Sequence, residues 1–467
     1  MKKLLTIVIG ILLFNINGFA QDHKEDSSAH NGTDTNSLAH AFRKGSFHGH
    51  FRYFYMSTDN APGLSDYYSN AIGGGIKFET APFHGFQVGI GGFIIYNIGS
   101  SDLGARDPKT NASNRYEIGL FDIENPYNKD DIDRLEELYL KYSYRKSSIV
   151  VGKQLPDLPF INKQDGRMRP TEINGAIASI NEIKRTQLTL GYIWGFSPRS
   201  TVQWYGVGES IGLYPQGLTK EGKPAAYHDS LSSKGVIIAG IKYNMGKSIN
   251  LEGWNQYVDN IFNTTLIQVN LHLPVGHDGK LMAGLQYVHQ VAVKDGGNAI
   301  PEHTYFEKGG RSNAFGVMAG YKTKKIEASL NYTRITKDGR YLMPREWGKE
   351  PFFTFLPRER NEGFGDVNAI VAKFNYTFPR QGISLNAGYG HFYLPEVTNY
   401  ALNKYGMPSY NQLNLSARYP FHGFLQGLDM QVLYVYKGNL GDLPGNDKYL
   451  INKVNMSQWN IIVNYHF

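Results

Sequence analysis

Apolar and polar side chains alternate along much of this chain with a period of two residues. In the segment 456–467, the odd-numbered positions from 459 onward are apolar or aromatic, whereas most even-numbered positions are polar. Successive side chains of a β-strand point to opposite faces, so this alternation predicts a strand with one apolar and one polar face. Residues 47–56, 370–378 and 412–419 show the same pattern.

The alternating segments number about 18, each of roughly 8 to 12 residues, and a single-chain membrane barrel requires an even strand number. They lie near residues 47, 71, 86, 136, 148, 173, 186, 235, 248, 263, 280, 312, 325, 367, 382, 411, 428 and 456. The chain ends on Phe467 after a strand with aromatic residues at alternate positions, which is typical of outer-membrane barrels. An edge strand of a soluble sandwich is the alternative for this last segment. We therefore predict an all-β fold, a transmembrane antiparallel β-barrel of about 18 strands.

The lengths of the connections support a barrel. Several are short, namely 82–85, 146–147, 245–247, 324 and 379–381, and these alternate with long ones, such as 97–135, 195–234 and 336–366. Membrane barrels have short periplasmic turns at one end and long extracellular loops at the other. A soluble sheet protein has no reason to sort its loops in this way.

The N-terminal region predicts export. Met1, Lys2 and Lys3 precede an apolar run over residues 4–14 and a small-residue stretch that ends at Ala20. We interpret residues 1–20 as a signal peptide, because a membrane-spanning helix needs about 20 apolar residues. Residues 21–45 lack periodicity and predict a flexible periplasmic leader, and residues 46–467 form the predicted barrel.

Composition excludes several kinds of site. The chain has no cysteine, so it can hold neither a disulfide framework nor a metal–thiolate centre. The histidines of the leader, His23, His30 and His40, lack the spacing of metal ligands, and we expect no metal and no cofactor. The formal charge of +7 includes Lys2 and Lys3 of the predicted signal peptide. A modest positive charge on an exported protein gives no reason to expect nucleic acid as a partner.

Strand parity divides the side chains between lipid and lumen. If the apolar set faces lipid, the basic residues assigned to the lumen are Arg52, Lys77, Lys141, Arg145, Lys242, Lys322, Lys373, Arg418 and Lys437. Three acids, Glu79, Glu252 and Glu327, share that face. Fixed positive charge along a pore favours anions, so we expect small anionic solutes as partners. The alternative is that several of these lysines only face water at strand ends.

A barrel of this width is water-filled, so selectivity requires a loop that folds inward. Residues 155–170 combine several prolines with charged residues and are the candidate for this constriction loop, although an ordinary exposed loop is the alternative. This region resembles the third loop of the OprD family of substrate-specific porins. The matching residues are Gly152, Lys153, Gln154, Pro159, Asp165, Arg167, Pro170, Gly175 and Ile183. The stretches 345–355 and 418–428 also resemble this family.

The resemblance implies a monomeric barrel of about 18 strands with an inward-folded third loop. It also implies a basic ladder, a row of basic side chains that guides carboxylate-bearing solutes such as amino acids, small peptides or organic acids. By this resemblance, Asp165, Arg167 and Arg169 lie near the constriction and Arg418 belongs to the ladder. The acidic and tyrosine residues that bind solutes in some members have no matching positions here, and the histidine-containing leader departs from the family pattern.

Three other functions are compatible with a barrel. A general anion-selective porin would assemble as a trimer, whereas the lipid-like outer face here favours a monomer. An outer-membrane phospholipase or protease would need a nucleophile beside an oriented histidine, and the inward His48 and His50 have no obvious Ser or Asp partner in the sequence. An adhesin would have a plugged lumen without conductance. We expect a channel rather than an enzyme.

Overall fold

The computed structural model describes residues 35–163 and 167–467. Within these residues, 18 strands close a barrel, and a two-residue strand, β8, extends its wall. The strands are β1 Ser46–Asp59, β2 Tyr67–Glu79, β3 Phe86–Ser100, β4 Ile132–Tyr144, β5 Ser147–Gln154, β6 Glu172–Ile180, β7 Thr186–Ser197, β8 Tyr205–Gly206, β9 Val236–Met245, β10 Ile249–Val258, β11 Phe262–Val275, β12 Gly279–Ala292, β13 Arg311–Lys322, β14 Ile326–Ile335, β15 Val367–Thr377, β16 Ser384–Tyr393, β17 Tyr410–Pro420, β18 Leu428–Asn439 and β19 Met456–His466. The predicted fold and strand number are confirmed.

The barrel closes because the first and last long strands pair with each other. β1 is antiparallel to β19, with Arg52 opposite Asn464, and its other edge pairs with β2. The remaining neighbouring strands also pair antiparallel in chain order, except that β8 pairs only with β7, which continues to β9. Closure pairs the backbone groups that an open sheet would leave at its edges, as a hydrocarbon environment requires.

The two faces of each strand follow the sequence alternation. On β12, Leu281 and Leu285 are exposed on the outer face, whereas Gln286 and Gln290 are buried inside the barrel. On β19, Trp459 is exposed on the outer face between two fully buried polar neighbours. The outward apolar side chains form the surface that contacts lipid, and the lumen is lined by polar groups.

The connections are sorted by length. The turns 80–85, 145–146, 181–185, 246–248, 276–278, 323–325, 378–383 and 421–427 lie at one end of the barrel. The long loops 101–131, 155–171, 207–235, 293–310, 336–366, 394–409 and 440–455 lie at the other end, together with the shorter connections 60–66 and 259–261. The short turns mark the periplasmic end.

Helical structure is minor. The helix α1, Leu38–Arg43, begins after Ser37, whose Oγ accepts a hydrogen bond from the backbone N–H of His40 at 3.2 Å. The backbone N–H of Ala81 donates to the carbonyl oxygen of Ala41 at 3.1 Å, so the end of the predicted leader packs against a periplasmic turn. The predicted signal peptide and residues 21–34 lie outside the described residues. Among the described residues, no helix is long and apolar enough to span a membrane.

The apolar core lies inside the barrel, between its inner wall and the long loops. At its centre, the Trp347 side chain is fully buried and stacks on Phe196 with ring centroids 4.4 Å apart. Its Nε1 donates to Ser210 Oγ at 2.9 Å. Because these residues come from loop 336–366, strand β7 and loop 207–235, the core joins two long loops to the wall.

Candidate functional site: the pore constriction and its basic side chains

The described parts of the third long loop, residues 155–163 and 167–171, fold into the lumen. From β1, Arg52 Nη1 donates to the carbonyl oxygen of Arg167 at 2.6 Å and to that of Met168 at 3.3 Å. From β4, Arg134 Nη2 donates to the carbonyl oxygen of Pro170 at 2.7 Å. Both arginines therefore bind the loop backbone from the inner wall, which is the position that a constriction loop requires.

Arg169 holds the same loop through its side chain. Its Nε donates to Glu136 Oε1 at 2.6 Å, and its Nη2 forms an ion pair with the other oxygen of that carboxylate. The guanidinium also lies 3.2 Å from His50 Nδ1 and 4.6 Å from the centre of the Phe93 ring. Of the predicted constriction residues, Arg167 and Arg169 thus lie in the lumen, and Asp165 lies outside the described residues.

A β-bulge changes the charge of the inner wall beside this loop. The register between β3 and β4 shifts at Gly91 and Gly92, so that Glu136 has no opposite residue on β3. Glu136 and Glu137 both point inward, where they pair with Arg169 and Lys77. Simple parity places consecutive residues on opposite faces, so the sequence does not predict that both carboxylates face the lumen.

A second loop, residues 336–366, also folds deep into the lumen. Its backbone carbonyl oxygens accept hydrogen bonds from Gln286 at Pro351, from Lys373 at Phe353 and from Gln412 at Pro357, with distances of 2.7 to 2.9 Å. On the far side, Arg358 Nη2 donates to Asn460 Oδ1 at 2.7 Å. The donors and acceptors on β12, β15, β17 and β19 show that this loop lies across the lumen. The sequence predicts a long loop here, with a family resemblance over 345–355, but no local pattern shows that the loop crosses the lumen.

Buried ion pairs fasten this second loop. The Glu359 carboxylate is 3.0 Å from Arg115, 3.1 Å from Lys437 Nζ and 3.9 Å from Arg345. Burial alone raises the pKa of Glu359, but these three cations outweigh it and hold the pKa at about 2. Glu362 pairs with Arg345 at 2.6 Å. The network joins loop 336–366 to loop 101–131 and to β18.

Most of the predicted basic residues lie near the periplasmic end. Each lies on a lumenal strand face within a few residues of a short turn: Lys77, Lys141, Lys242, Lys322, Lys373 and Arg418. Arg52 lies further up the wall, under the constriction loop. The six residues belong to β2, β4, β9, β13, β15 and β17, so they surround the periplasmic vestibule rather than line the full length of the pore.

Two predicted positions differ from the expectation. Arg145 lies in the turn between β4 and β5, outside the strand faces, with its guanidinium 5.2 Å from the Tyr144 ring centre. Lys437 does point inward, but its side chain is fully buried between Glu359 and Tyr116, so it does not line the pore. Strand parity predicts neither difference, because it shows neither where a strand ends in a turn nor which loop covers an inward side chain.

The inward acids are more numerous than predicted. Besides Glu136 and Glu137, the lumenal side holds Glu172, at 4.0 Å from Arg169, and Asp429, at 3.3 Å from Arg418. Of the predicted acids, Glu79 lies 3.8 Å from Lys77. The pairs Lys242–Glu252 at 3.5 Å and Lys322–Glu327 at 2.7 Å account for the other two.

The inward histidines lie at the periplasmic end. His50 stacks on His466 with ring centroids 4.3 Å apart. Ser46 Oγ lies 3.1 Å from His48 Nε2, a serine contact that was not obvious from the sequence. Residues 46 and 48 share one strand face, which explains the contact. Over residues 35–163 and 167–467, no group of three or more histidine, aspartate or glutamate side chains could hold a metal ion.

Comparisons with known proteins agree with this architecture. The family model described as outer membrane porin, OprD family, matches residues 46–363. No curated protein matches the chain. Among solved structures, OccAB3 of Acinetobacter baumannii is similar, with a TM-score of 0.70 and 17% identity over 91% of this chain and 99% of that one. OccAB1 of the same organism gives 0.69 and 15%, over 91% and 97%. OpdK of Pseudomonas aeruginosa, solved with vanillate, gives 0.67 and 15%, over 91% and 99%.

Proposed function

The chain belongs to the OprD family of outer membrane porins, and on that premise we propose that it passes small carboxylate-bearing solutes, such as amino acids, small peptides and organic acids, as a monomer. Its location is the outer membrane, and its family consists of channels for small solutes. On this proposal a solute passes the constriction loop before it reaches the periplasmic vestibule.

The proposal rests on the numbers of acidic and basic side chains that line the periplasmic vestibule. Five acids each lie within 4.0 Å of a basic side chain, so their charges are locally compensated: Glu79, Glu137, Glu252, Glu327 and Asp429. Among the ion pairs of the described residues, none includes Lys141 or Lys373. The six basic side chains of the vestibule thus face five acids, which leaves an excess of one positive charge. Fixed cations compensate an anion for part of the hydration that it loses, so this excess favours anions.

The outer face supports the monomer. Large apolar side chains are exposed on strands around the whole barrel: Ile90, Leu190, Ile241, Leu285, Leu330 and Leu415. A trimer would cover one sector of this face with neighbouring subunits, and that sector would not need a lipid-compatible surface. Analytical ultracentrifugation in density-matched detergent distinguishes a monomer from the trimeric alternative.

Reversal potential in planar bilayers tests the selectivity. Under a KCl gradient we expect the wild-type channel to prefer chloride, and Lys141→Gln to shift the reversal potential toward the cation side. Lys324→Gln is the matched control, since Lys324 lies in a periplasmic turn with a side chain 80% exposed. Cation preference of the wild-type channel would contradict the proposal.

The carboxylate preference needs a separate measurement. Succinate added to one side should reduce the ion current in a dose-dependent way, whereas its neutral diamide, which has a similar shape, should not. Equal block by the two solutes would show that size, not charge, governs passage.

A further inference from the structure

The short helix α1, Leu38–Arg43, lies on the outer side of the barrel rim at the periplasmic end. The Phe42 ring stacks on Phe78 with ring centroids 6.2 Å apart, and the Phe47 ring lies 4.8 Å from the same ring. Phe47 and Phe78 are paired across β1 and β2 and point outward, since the neighbouring Lys77 points into the lumen. The helix is therefore placed against the lipid-facing side of the wall, beside the pore mouth.

Contacts with a periplasmic turn fix this position. The backbone N–H of Thr35 and its hydroxyl both donate to the carbonyl oxygen of Pro82 at 2.9 Å. The backbone N–H of Ala81 donates to the carbonyl oxygen of Ala41 at 3.1 Å, and Thr35 and Ala41 are both buried. One contact precedes the helix and the other lies near its end, so the whole of α1 is attached to the turn 80–85.

The helix is amphipathic although it has only six residues. Leu38 and Phe42 are four positions apart, so their side chains lie on one helix face. His40 and Arg43 point away from that face, and Lys44 follows the helix. A helix with an apolar face and a basic polar face suits the boundary between lipid headgroups and acyl chains.

The apolar face of α1 is largely uncovered by the described residues. Leu38 is 58% exposed, and Phe42 is 49% exposed even though its ring stacks on Phe78. Large apolar side chains gain free energy when they are removed from water. This face therefore calls for a cover that residues 35–163 and 167–467 do not supply.

The uncovered face continues a surface that contacts lipid. On the same rim, Phe86 of β3 and Tyr142 of β4 are exposed on the outer wall with ring centroids 4.7 Å apart. Membrane barrels carry girdles of aromatic residues where the wall meets the lipid–water interface. Phe42 joins α1 to this girdle through Phe78, so the phospholipid that covers the girdle also lies against Leu38.

The charge of the segment favours the same partner. Residues 35–45 include Arg43 and Lys44 but no acidic residue, and both basic side chains are exposed. Anionic phospholipid headgroups attract basic residues beside an apolar helix face. A protein that covered α1 would have to share the aromatic girdle with lipid, whereas phospholipid covers both surfaces at once.

We propose that α1 is an interfacial helix, whose Leu38 and Phe42 side chains insert into the periplasmic phospholipid leaflet of the outer membrane beside the barrel wall. The helix thereby holds the end of the predicted leader at the membrane surface and clear of the pore mouth. This role is independent of the transported solute, because it depends only on the location of the barrel in the outer membrane.

Site-directed spin labelling of the full channel tests the proposal. The chain contains no cysteine, so a nitroxide attached to Leu38→Cys reports on a single position. The probe is a vesicle of phosphatidylethanolamine and phosphatidylglycerol. Electron paramagnetic resonance then measures how accessible the label is to oxygen, which concentrates among acyl chains, and to a water-soluble nickel chelate. An interfacial helix places the label about 5 to 10 Å into the headgroup and acyl boundary.

Two further labelled positions are the references. Leu285→Cys lies on the lipid-facing wall, and Lys324→Cys lies in a periplasmic turn with a side chain 80% exposed. The ratio of oxygen to nickel accessibility at Leu38 should lie between these references and clearly above that at Lys324. A ratio equal to that at Lys324 would place the face in water and overturn the proposal. Low accessibility to both reagents would also overturn it, because protein would then cover the face.

Hydrogen–deuterium exchange in the same vesicles gives a second test without a label. In Leu38→Glu, peptides that cover residues 35–45 should exchange about 10-fold faster than in the wild type, since a carboxylate does not insert among acyl chains. Asn36→Glu is the matched control, because it adds the same charge at an exposed position before the helix. Its exchange should equal that of the wild type. Equal exchange in the two variants would contradict insertion of Leu38.

Discussion

The ion-pair network of Glu359 should control how tightly loop 336–366 stays inside the barrel. Glu359→Gln keeps the shape of the side chain but removes its charge. Lys437, whose side chain is fully buried, and Arg115 then lack a carboxylate partner. Breaking a buried ion pair in this way costs about 3 to 5 kcal/mol, because an uncompensated charge remains buried.

The lowered pKa of Glu359 gives a second estimate of the free energy that this network contributes to the closed loop. A decrease from the ordinary value of 4.5 to about 2 corresponds to about 3 kcal/mol in favour of the closed loop. Since the pKa is lowered in the folded protein, this contribution is fully present above pH 4.5 and is lost as the pH falls toward 2. The two estimates agree in size.

Hydrogen–deuterium exchange of the channel in detergent measures this effect. In Glu359→Gln at pH 7, peptides from loop 336–366 should exchange about 100-fold faster than in the wild type, which corresponds to about 3 kcal/mol of opening free energy. Single-channel current should become larger and noisier, because the loop leaves the lumen more often. The control is Glu307→Gln, which removes an exposed ion pair with Lys220 and should have little effect. Unchanged exchange in Glu359→Gln would refute the conclusion that this ion-pair network holds loop 336–366 in the lumen.

Three further predictions concern the same inner structure. Trp347→Ala removes a fully buried ring from the core, and we expect the melting temperature in detergent to decrease in line with a loss of about 3 to 5 kcal/mol. Gly296→Ala should destabilise loop 293–310 strongly, because φ at Gly296 is +65° and a Cβ atom would overlap a backbone carbonyl oxygen. Gly309→Ala should cost only about 1 to 2 kcal/mol, because φ at Gly309 is +74° but the space around it is open. Equal melting temperatures of the two variants would contradict this prediction. Burial raises the pKa of Glu350 to about 7, so the closed loop should lose stability as the pH rises from 4.5 to 7. In Glu350→Gln, the hydrogen–deuterium exchange rates of the loop should lose this pH dependence once they are corrected for the intrinsic pH dependence of amide exchange. If the dependence persists in that variant, another group causes it.

The sequence by itself determined the wall of this protein. Alternation of apolar and polar residues is a local property, and it identified the strands, their lipid-facing sides and the sorting of short turns and long loops. It also placed Lys77, Lys141, Lys242, Lys322, Lys373 and Arg418 on the inner face, where the structure has them. Residues two apart on a strand share one face, so these positions can be predicted once it is known which face points into the lumen.

Only the tertiary structure decided the contents of the lumen. Contacts such as Arg358 to Asn460 join residues far apart in the chain, and no local pattern encodes them. The bulge that turns both Glu136 and Glu137 inward depends on pairing with β3, so parity within β4 could not show it. Lys437 is buried for the same reason, because the loop that covers it folds back across the barrel. The pore's charge therefore follows from which loops fill the barrel, and that depends on packing between distant segments rather than on strand periodicity.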